Sequence, residues 1–140
     1  MNTTTSQYGK ELAKLPVARM QDVLLARLIA RQEGMRMGFP AQALTQIATA
    51  VSEITRNVVQ YAGRPGQIRM FELREASRAG LKFAVEDQGV GIGDIERTLT
   101  ANTPGAGIPG SRVLMDEFAI ESTPGSGTTV IMAKWLQVSS

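Results

Sequence analysis

One helical period constrains this chain most. Leu44, Ile47, Val51, Ile54 and Val58 step by 3, 4, 3 and 4 residues, so all five line one side of an α-helix. A stripe that apolar has to be buried against a second layer. Pro40 suits the first turn of this helix, and the cluster Gly63-Arg64-Pro65-Gly66 stops it. A different period follows. Leu81, Phe83 and Val85 alternate with Lys82, Ala84 and Glu86, the pattern of a strand with one buried face. A long amphipathic helix followed by alternating strands points to a helix layer packed on a sheet.

The rest of the chain fits that frame. Residues 9–16 predict a short first strand. Residues 18–37 predict a helix with Met20, Leu24 and Leu28 as apolar positions, closed by Gly38-Phe39-Pro40. Strands are expected over 67–75 and 80–86, with Ala76 to Gly80 as their hairpin loop. A short helix is expected at 94–99, a small-residue stretch at 101–107, and a helix over 109–116 with Val113 and Leu114 as apolar positions. Strands over 117–123 and 127–136 close the chain, joined by Thr123-Pro124-Gly125-Ser126-Gly127. This order predicts an α+β two-layer sandwich, with helices on one face of a mixed, mostly antiparallel sheet. A length of 140 residues suits one domain over 10–136, with a frayed N-terminus at 1–9 and a tail at 137–140.

The available chemistry is narrow. The chain has no histidine and no cysteine. That excludes a Ser-His-Asp triad, a thiolate nucleophile, a disulfide and any zinc site built on those ligands. Catalysis must rest on carboxylates, hydroxyls, amides, Lys, Arg or backbone, and a metal would be a hard ion such as Mg²⁺ held by oxygen. Fifteen bases against thirteen acids give +2, which is no nucleic-acid footprint. No apolar run approaches a membrane span. Met1 to Ser6 lacks the basic-then-apolar order of a secretory signal, so the expected location is cytoplasmic.

Four motifs carry what chemistry there is. Glu53 and Asn57 are one turn apart on the second helix, so both project from one face beside the buried stripe. A carboxylate and an amide oxygen there could hold Mg²⁺ and polarise a hydroxyl, although such pairs also decorate solvated helices. Asp87-Gln88-Gly89-Val90-Gly91 ends a strand, and alternating glycines let backbone approach a ligand closely. Asp87 could accept a hydrogen bond from an exocyclic amine such as adenine N6, or simply make an Asx turn. Gly105-Ala106-Gly107-Ile108-Pro109-Gly110 runs into a helix start, where free N–H groups can cradle an anion. It is neither a Walker A loop nor a Rossmann fingerprint. Gly125-Ser126-Gly127-Thr128 is a plain turn unless Thr128 lies near Asp87.

In this order the four motifs resemble the N box and the three glycine boxes of the GHKL (Bergerat-fold) ATPases. Two stretches narrow the resemblance to the anti-sigma-factor-like serine/threonine kinases, and within them to the stressosome switch kinases. One is Ala50-Val51-Ser52-Glu53-Ile54-Thr55-Arg56-Asn57 with Gln60-Tyr61-Ala62-Gly63. The other is Gly107-Ile108-Pro109-Gly110 with Arg112 and Leu114-Met115-Asp116-Glu117-Phe118. The resemblance covers residues 10–136. It implies an ATP/ADP site with Mg²⁺ held by Asn57 and Glu53 as general base. It also implies Asp87 on adenine N6 with Thr128 assisting, and Gly89, Gly91, Gly105, Gly107 and Gly110 around the nucleotide. The implied acceptor is a serine or threonine on a STAS-domain protein. A PP2C-type phosphatase or a sigma factor is a further implied partner, within a partner-switching stress or sigma pathway. The alternative is an anti-sigma binding module whose affinity is set by nucleotide.

One departure stands out. Between Gly93 and Gly105 the only basic residue is Arg97, so a cation for the γ-phosphate is not obvious. Arg56 and Arg112 are the other candidates, and either suits a surface charge equally. Tyr61 could contact an acceptor or cap the core, and Trp135 reads as structural. A histidine-kinase fragment is disfavoured, since the chain has no histidine to phosphorylate.

Overall fold

The computed structural model describes residues 9–61, 64–87, 107–123 and 127–137. Their order is β1 (Lys10–Val17), α1 (Met20–Met37), α2 (Ala41–Tyr61), β2 (Gly66–Arg74), β3 (Arg78–Asp87), α3 (Gly107–Leu114), β4 (Glu117–Thr123) and β5 (Gly127–Gln137). The strands form one sheet in the order β1-β2-β3-β5-β4. Every neighbouring pair is antiparallel, so the parallel component of the expected mixed sheet is absent among the described residues. The expected helix at 94–99 lies outside the described residues, as does the stretch at 101–106.

The α2 stripe does what its period requires. Leu44, Ile47, Val51, Ile54 and Val58 are all buried, against Ile68 and Met70 of β2, Leu81, Phe83 and Val85 of β3, and Val130 and Met132 of β5. Burying each such side chain contributes about 1.5–3 kcal/mol before entropy is subtracted, which fixes α2 across the middle of the sheet.

The expected stripe of α1 is overturned. Met20, Leu24 and Leu28 are 43%, 62% and 52% exposed, and the buried face is Val23, Ala26, Ala30, Gly34 and Met37. Small side chains decide this. Ala26, Ala30 and Gly34 recur at i, i+4 and i+8, and a Cβ on Gly34 would stand 2.7 Å from Leu44 Cδ2. Close approach to α2 outweighs the larger apolar residues on the neighbouring arc. Asp22 Oδ2 accepts from the N–H groups of Ala18 and Arg19 at 2.8 and 3.0 Å, which starts the helix. Gly38 ends it at φ +97°, its N–H donating to the Gly34 and Met35 carbonyls.

The first hairpin is tighter than expected. The β2–β3 ladder runs on through Leu73 opposite Gly80 and Arg74 opposite Ala79, so Arg78, Ala79 and Gly80 are strand rather than loop. Gly80 serves packing here. A Cβ on it would be 2.8 Å from Cζ3 of Trp135, the residue opposite it on β5. The Trp135 ring is held by its Nε1, which donates to Glu117 at 2.7 Å, and by the Arg78 guanidinium 3.6 Å from its centroid.

The helix after the third glycine motif starts at Gly107 and ends at Leu114, two residues earlier at each end than expected. Val113 is 84% exposed, and Ser111 takes the buried position instead.

Candidate functional site

Asp87 is the last residue of β3 and pairs with Thr128 across β5, the condition under which the final turn becomes more than a turn. Thr128 is buried, and its hydroxyl lies 2.9 Å from that of Ser122 on β4, which also donates to the Gly127 carbonyl at 3.2 Å. On its other side Asp87 pairs with Gly66 of β2. A Cβ on Gly66 would stand 3.0 Å from Val58 Cγ1 and 3.2 Å from the Asp87 Cα. Glycine therefore lets the end of α2 settle onto the strand end that carries Asp87.

Ala50, Glu53 and Asn57 fall at i, i+3 and i+7, on one face of α2. That face looks toward α3, because Ser111 Oγ of α3 donates to the Ala50 carbonyl at 3.4 Å. The other end of α3 is fixed as well. Lys134 Nζ donates to the Leu114 carbonyl at 2.7 Å, and Asp116 N–H donates to the Ala133 carbonyl at 3.0 Å. A cation at the last carbonyls complements the helix dipole.

The Glu53 carboxylate is part-exposed and takes a 2.7 Å bond from Arg56 Nη1 within its own helix. Asn57 is different. Its Nδ2 is the buried side-chain polar atom without a hydrogen-bond partner among the described residues. Such a group costs about 1–3 kcal/mol, a cost that a ligand would remove. An amide has a donor end and an acceptor end, so it fits a metal–phosphate group. Its oxygen suits a hard cation, and its nitrogen suits a phosphate oxygen. No cluster of three or more carboxylates exists among the described residues.

Of the glycine motifs, Gly89, Gly91 and Gly105 lie outside the described residues. Gly107 begins α3, and Gly110, three residues on, is exposed. A Cβ on Gly110 would meet nothing within 4 Å, so packing does not demand glycine there.

Residues 17–134 match the histidine kinase-like ATPase domain family. The chain belongs to that family, in its serine/threonine-kinase and anti-sigma branch. It is 40% identical over 121 residues to the serine/threonine-protein kinase RsbT of Bacillus subtilis, covering 83% of this chain and 90% of that protein. It is 31% identical over 139 residues to the anti-sigma F factor of Clostridium novyi, covering 92% and 96%. Among solved structures it resembles a histidine kinase domain from an Erythrobacter litoralis blue-light activated histidine kinase, with a TM-score of 0.54 at 19% identity. That likeness covers 80% of this chain and 63% of the other, and it concerns the fold alone.

In this histidine kinase-like ATPase domain, the end of β3 that carries Asp87 lies between Thr128 of β5 and Gly66 of β2, with Val58 of α2 beside Gly66. Sequence reasoning singled out Glu53, Asn57, Asp87 and Thr128 as candidates but not the residues packed and hydrogen-bonded around them. Gly66 was legible only as a turn residue, because its close approach depends on the β2–β3 register. Ser122 had a readable signal, since it lies opposite Thr128 across a short hairpin. The parts played by Ser111 and Lys134 depend on where α3 docks, which no local pattern encodes. Arg112 is exposed, and Arg56 is engaged with Glu53.

Proposed function

We propose that this ATPase domain transfers the γ-phosphoryl group of ATP to a serine or threonine of a STAS-domain protein and switches partners as a result. The observation that carries the reading is the α2 face toward α3, where a part-exposed carboxylate and a half-buried amide, whose buried Nδ2 has no partner among the described residues, sit one turn apart. Asp87, with Thr128 opposite it, would hold the adenine amine. Asn57 would hold Mg²⁺, which when bound neutralises phosphate charge. Glu53 would take the proton from the acceptor hydroxyl as its oxygen bonds to phosphorus and the bond to the ADP oxygen breaks. Gly89, Gly91, Gly105, Gly107 and Gly110 would close backbone on the phosphates, with the α3 N-terminus facing them.

The acceptor side of this reading rests on the 40% identity to a named serine/threonine kinase. A PP2C-type phosphatase or a sigma factor would be the partner engaged after release. No helix among the described residues is long and apolar enough to cross a membrane, and a cytoplasmic setting would supply the ATP. The decisive experiment mixes the protein with Mg-ATP and a candidate STAS protein and follows phosphate on the acceptor. Transfer that survives Glu53→Ala unchanged removes Glu53 as base.

A second reading is favoured by the 31% identity to an anti-sigma F factor. Here nucleotide would set the affinity for a sigma factor. Pull-downs separate the two readings, since capture of a sigma factor without any STAS protein supports the second.

A further inference from the structure

The α1 stripe that failed to enter the core is the feature still without a role. Met20, Leu24, Leu28 and Met35 are 43–62% exposed. At 100° per residue they share an arc of about 100° with Arg27 and Arg31. Both arginines are exposed. Among the described residues neither forms an ion pair. The acids of α1 lie on the far side of the helix and are already used. Asp22 caps the helix start, and Glu33 pairs with Arg36. The face is therefore apolar and purely cationic, and spans about four helical turns, near 22 Å. Contiguous exposed apolar residues of this kind mark interaction sites.

We propose that this face of α1 docks an amphipathic helix of a different protein, whose apolar stripe is flanked by aspartate or glutamate. Charge selects that occupant. A second copy of the chain would set Arg27 and Arg31 against their own equivalents, which is unfavourable. A membrane-lying helix keeps its cations on the polar face, whereas here Arg31 lies inside the apolar arc, between Met20 and Leu24, and Arg27 lies at its edge beside Met20. In that position a guanidinium pairs with a carboxylate bidentately while its stem packs on Leu and Met. The geometry of a straight ridge matches helix-to-helix docking. The surface is also separate from the candidate site. α1 packs on the Leu44 side of α2, while Glu53 and Asn57 face α3. The docked helix and a nucleotide can then be held together.

The test uses a labelled helical peptide of about 18 residues with leucines on one face and glutamates beside them, and a control with lysine in place of glutamate. Fluorescence anisotropy with the full chain should give saturable binding of the acidic peptide in the micromolar range and none of the basic one. Leu24→Glu with Leu28→Glu should weaken binding by at least about tenfold. Arg27→Glu with Arg31→Glu, which leaves the apolar residues in place, should reverse the charge preference. ATP affinity by calorimetry should stay unchanged in both pairs, because none of the four residues belongs to the nucleotide site. Failure of ATP binding in the wild type would bear on the kinase reading and not on this one. No binding of the acidic peptide, or equal binding of both peptides, overturns the proposal. So does attachment to phosphatidylserine vesicles that the leucine variants abolish, and so does self-association that they abolish.

Discussion

Asp87 and Thr128 stand directly opposite each other on β3 and β5, and the Thr128 hydroxyl is braced at 2.9 Å by Ser122 on β4. Three adjacent strands thus converge on one polar corner of the sheet. Replacing Asp87 with Asn keeps the shape and removes the charge that an adenine amine would meet. A hydrogen bond to a charged group is worth about 1.5–3 kcal/mol, so Asp87→Asn should weaken ATP binding roughly 10- to 100-fold by calorimetry. Thr128→Val should cost less, on the order of threefold to tenfold, because its neutral hydroxyl supports rather than replaces the carboxylate. Asp87→Asn with wild-type affinity would remove the adenine assignment.

Glu53 and Asn57 should separate in kinetics. A general base contributes about 10²–10⁴ in rate. Glu53→Ala should therefore lower phosphotransfer at least about 100-fold while ATP affinity changes little. Asn57→Ala should instead abolish the Mg²⁺-dependent part of ATP binding, seen as calorimetric traces that no longer differ with and without magnesium. Arg56 makes the 2.7 Å contact to Glu53. Removing it with Arg56→Ala should lower the transfer rate by a smaller factor, around tenfold, with Lys restoring part of it. A loss in Arg56→Ala confined to ATP binding would place this guanidinium on phosphate instead.

The parts of this molecule legible in the sequence are those where one periodicity met one burial. The α2 stripe and the β3 alternation each had large apolar residues facing a single layer, and both were read correctly. On α1 the same periodicity pointed to Met20, Leu24 and Leu28, which recur at i, i+4 and i+8. The core-facing side was instead Ala26, Ala30 and Gly34, where closeness to α2 replaces side-chain volume. Gly80 stood at the boundary of the expected loop and the expected strand over 80–86, and its packing role was not legible for a related reason. A glycine beside a charged loop reads as a turn, and only the Trp135 ring above it reveals the need for an empty face. Within the candidate site, the sequence offered Glu53, Asn57, Asp87 and Thr128 as candidates, and the pairing of Asp87 with Thr128 met the condition set for the last of them. Their supports at Gly66, Ser111, Ser122 and Lys134 depend on strand register and helix docking.

That reading of Gly80 can be tested alone. A methyl group there would lie 2.8–3.1 Å from three atoms of the Trp135 ring. The ring cannot swing aside freely, since Glu117 and Arg78 both hold it. Overpacking of this kind costs about 1–3 kcal/mol. Gly80→Ala should lower the thermal midpoint by several degrees. Trp135→Leu should relieve the clash, so the double variant should be less destabilised than the two single costs added together.

Glu72 ties the end of α1 to the sheet. It is buried on β2, with Arg36 Nη2 of α1 at 2.6 Å and the Arg74 guanidinium beside it. Burial alone would push its carboxyl up, but the two arginine bonds and charges outweigh that and hold it below the ordinary value of 4.5. A carboxyl depressed in the folded state binds fewer protons folded than unfolded. Its stabilisation is therefore complete above pH 4.5 and fades as pH falls through the lower folded-state value. Glu72→Gln removes that titration. The variant should melt below the wild type at neutral pH, and the gap should narrow steadily on acidification below pH 4.5. Thermal melts of both proteins across that range measure it directly. A gap that stays constant or widens in acid would mean that the Arg36–Glu72–Arg74 cluster holds α1 by packing rather than by charge.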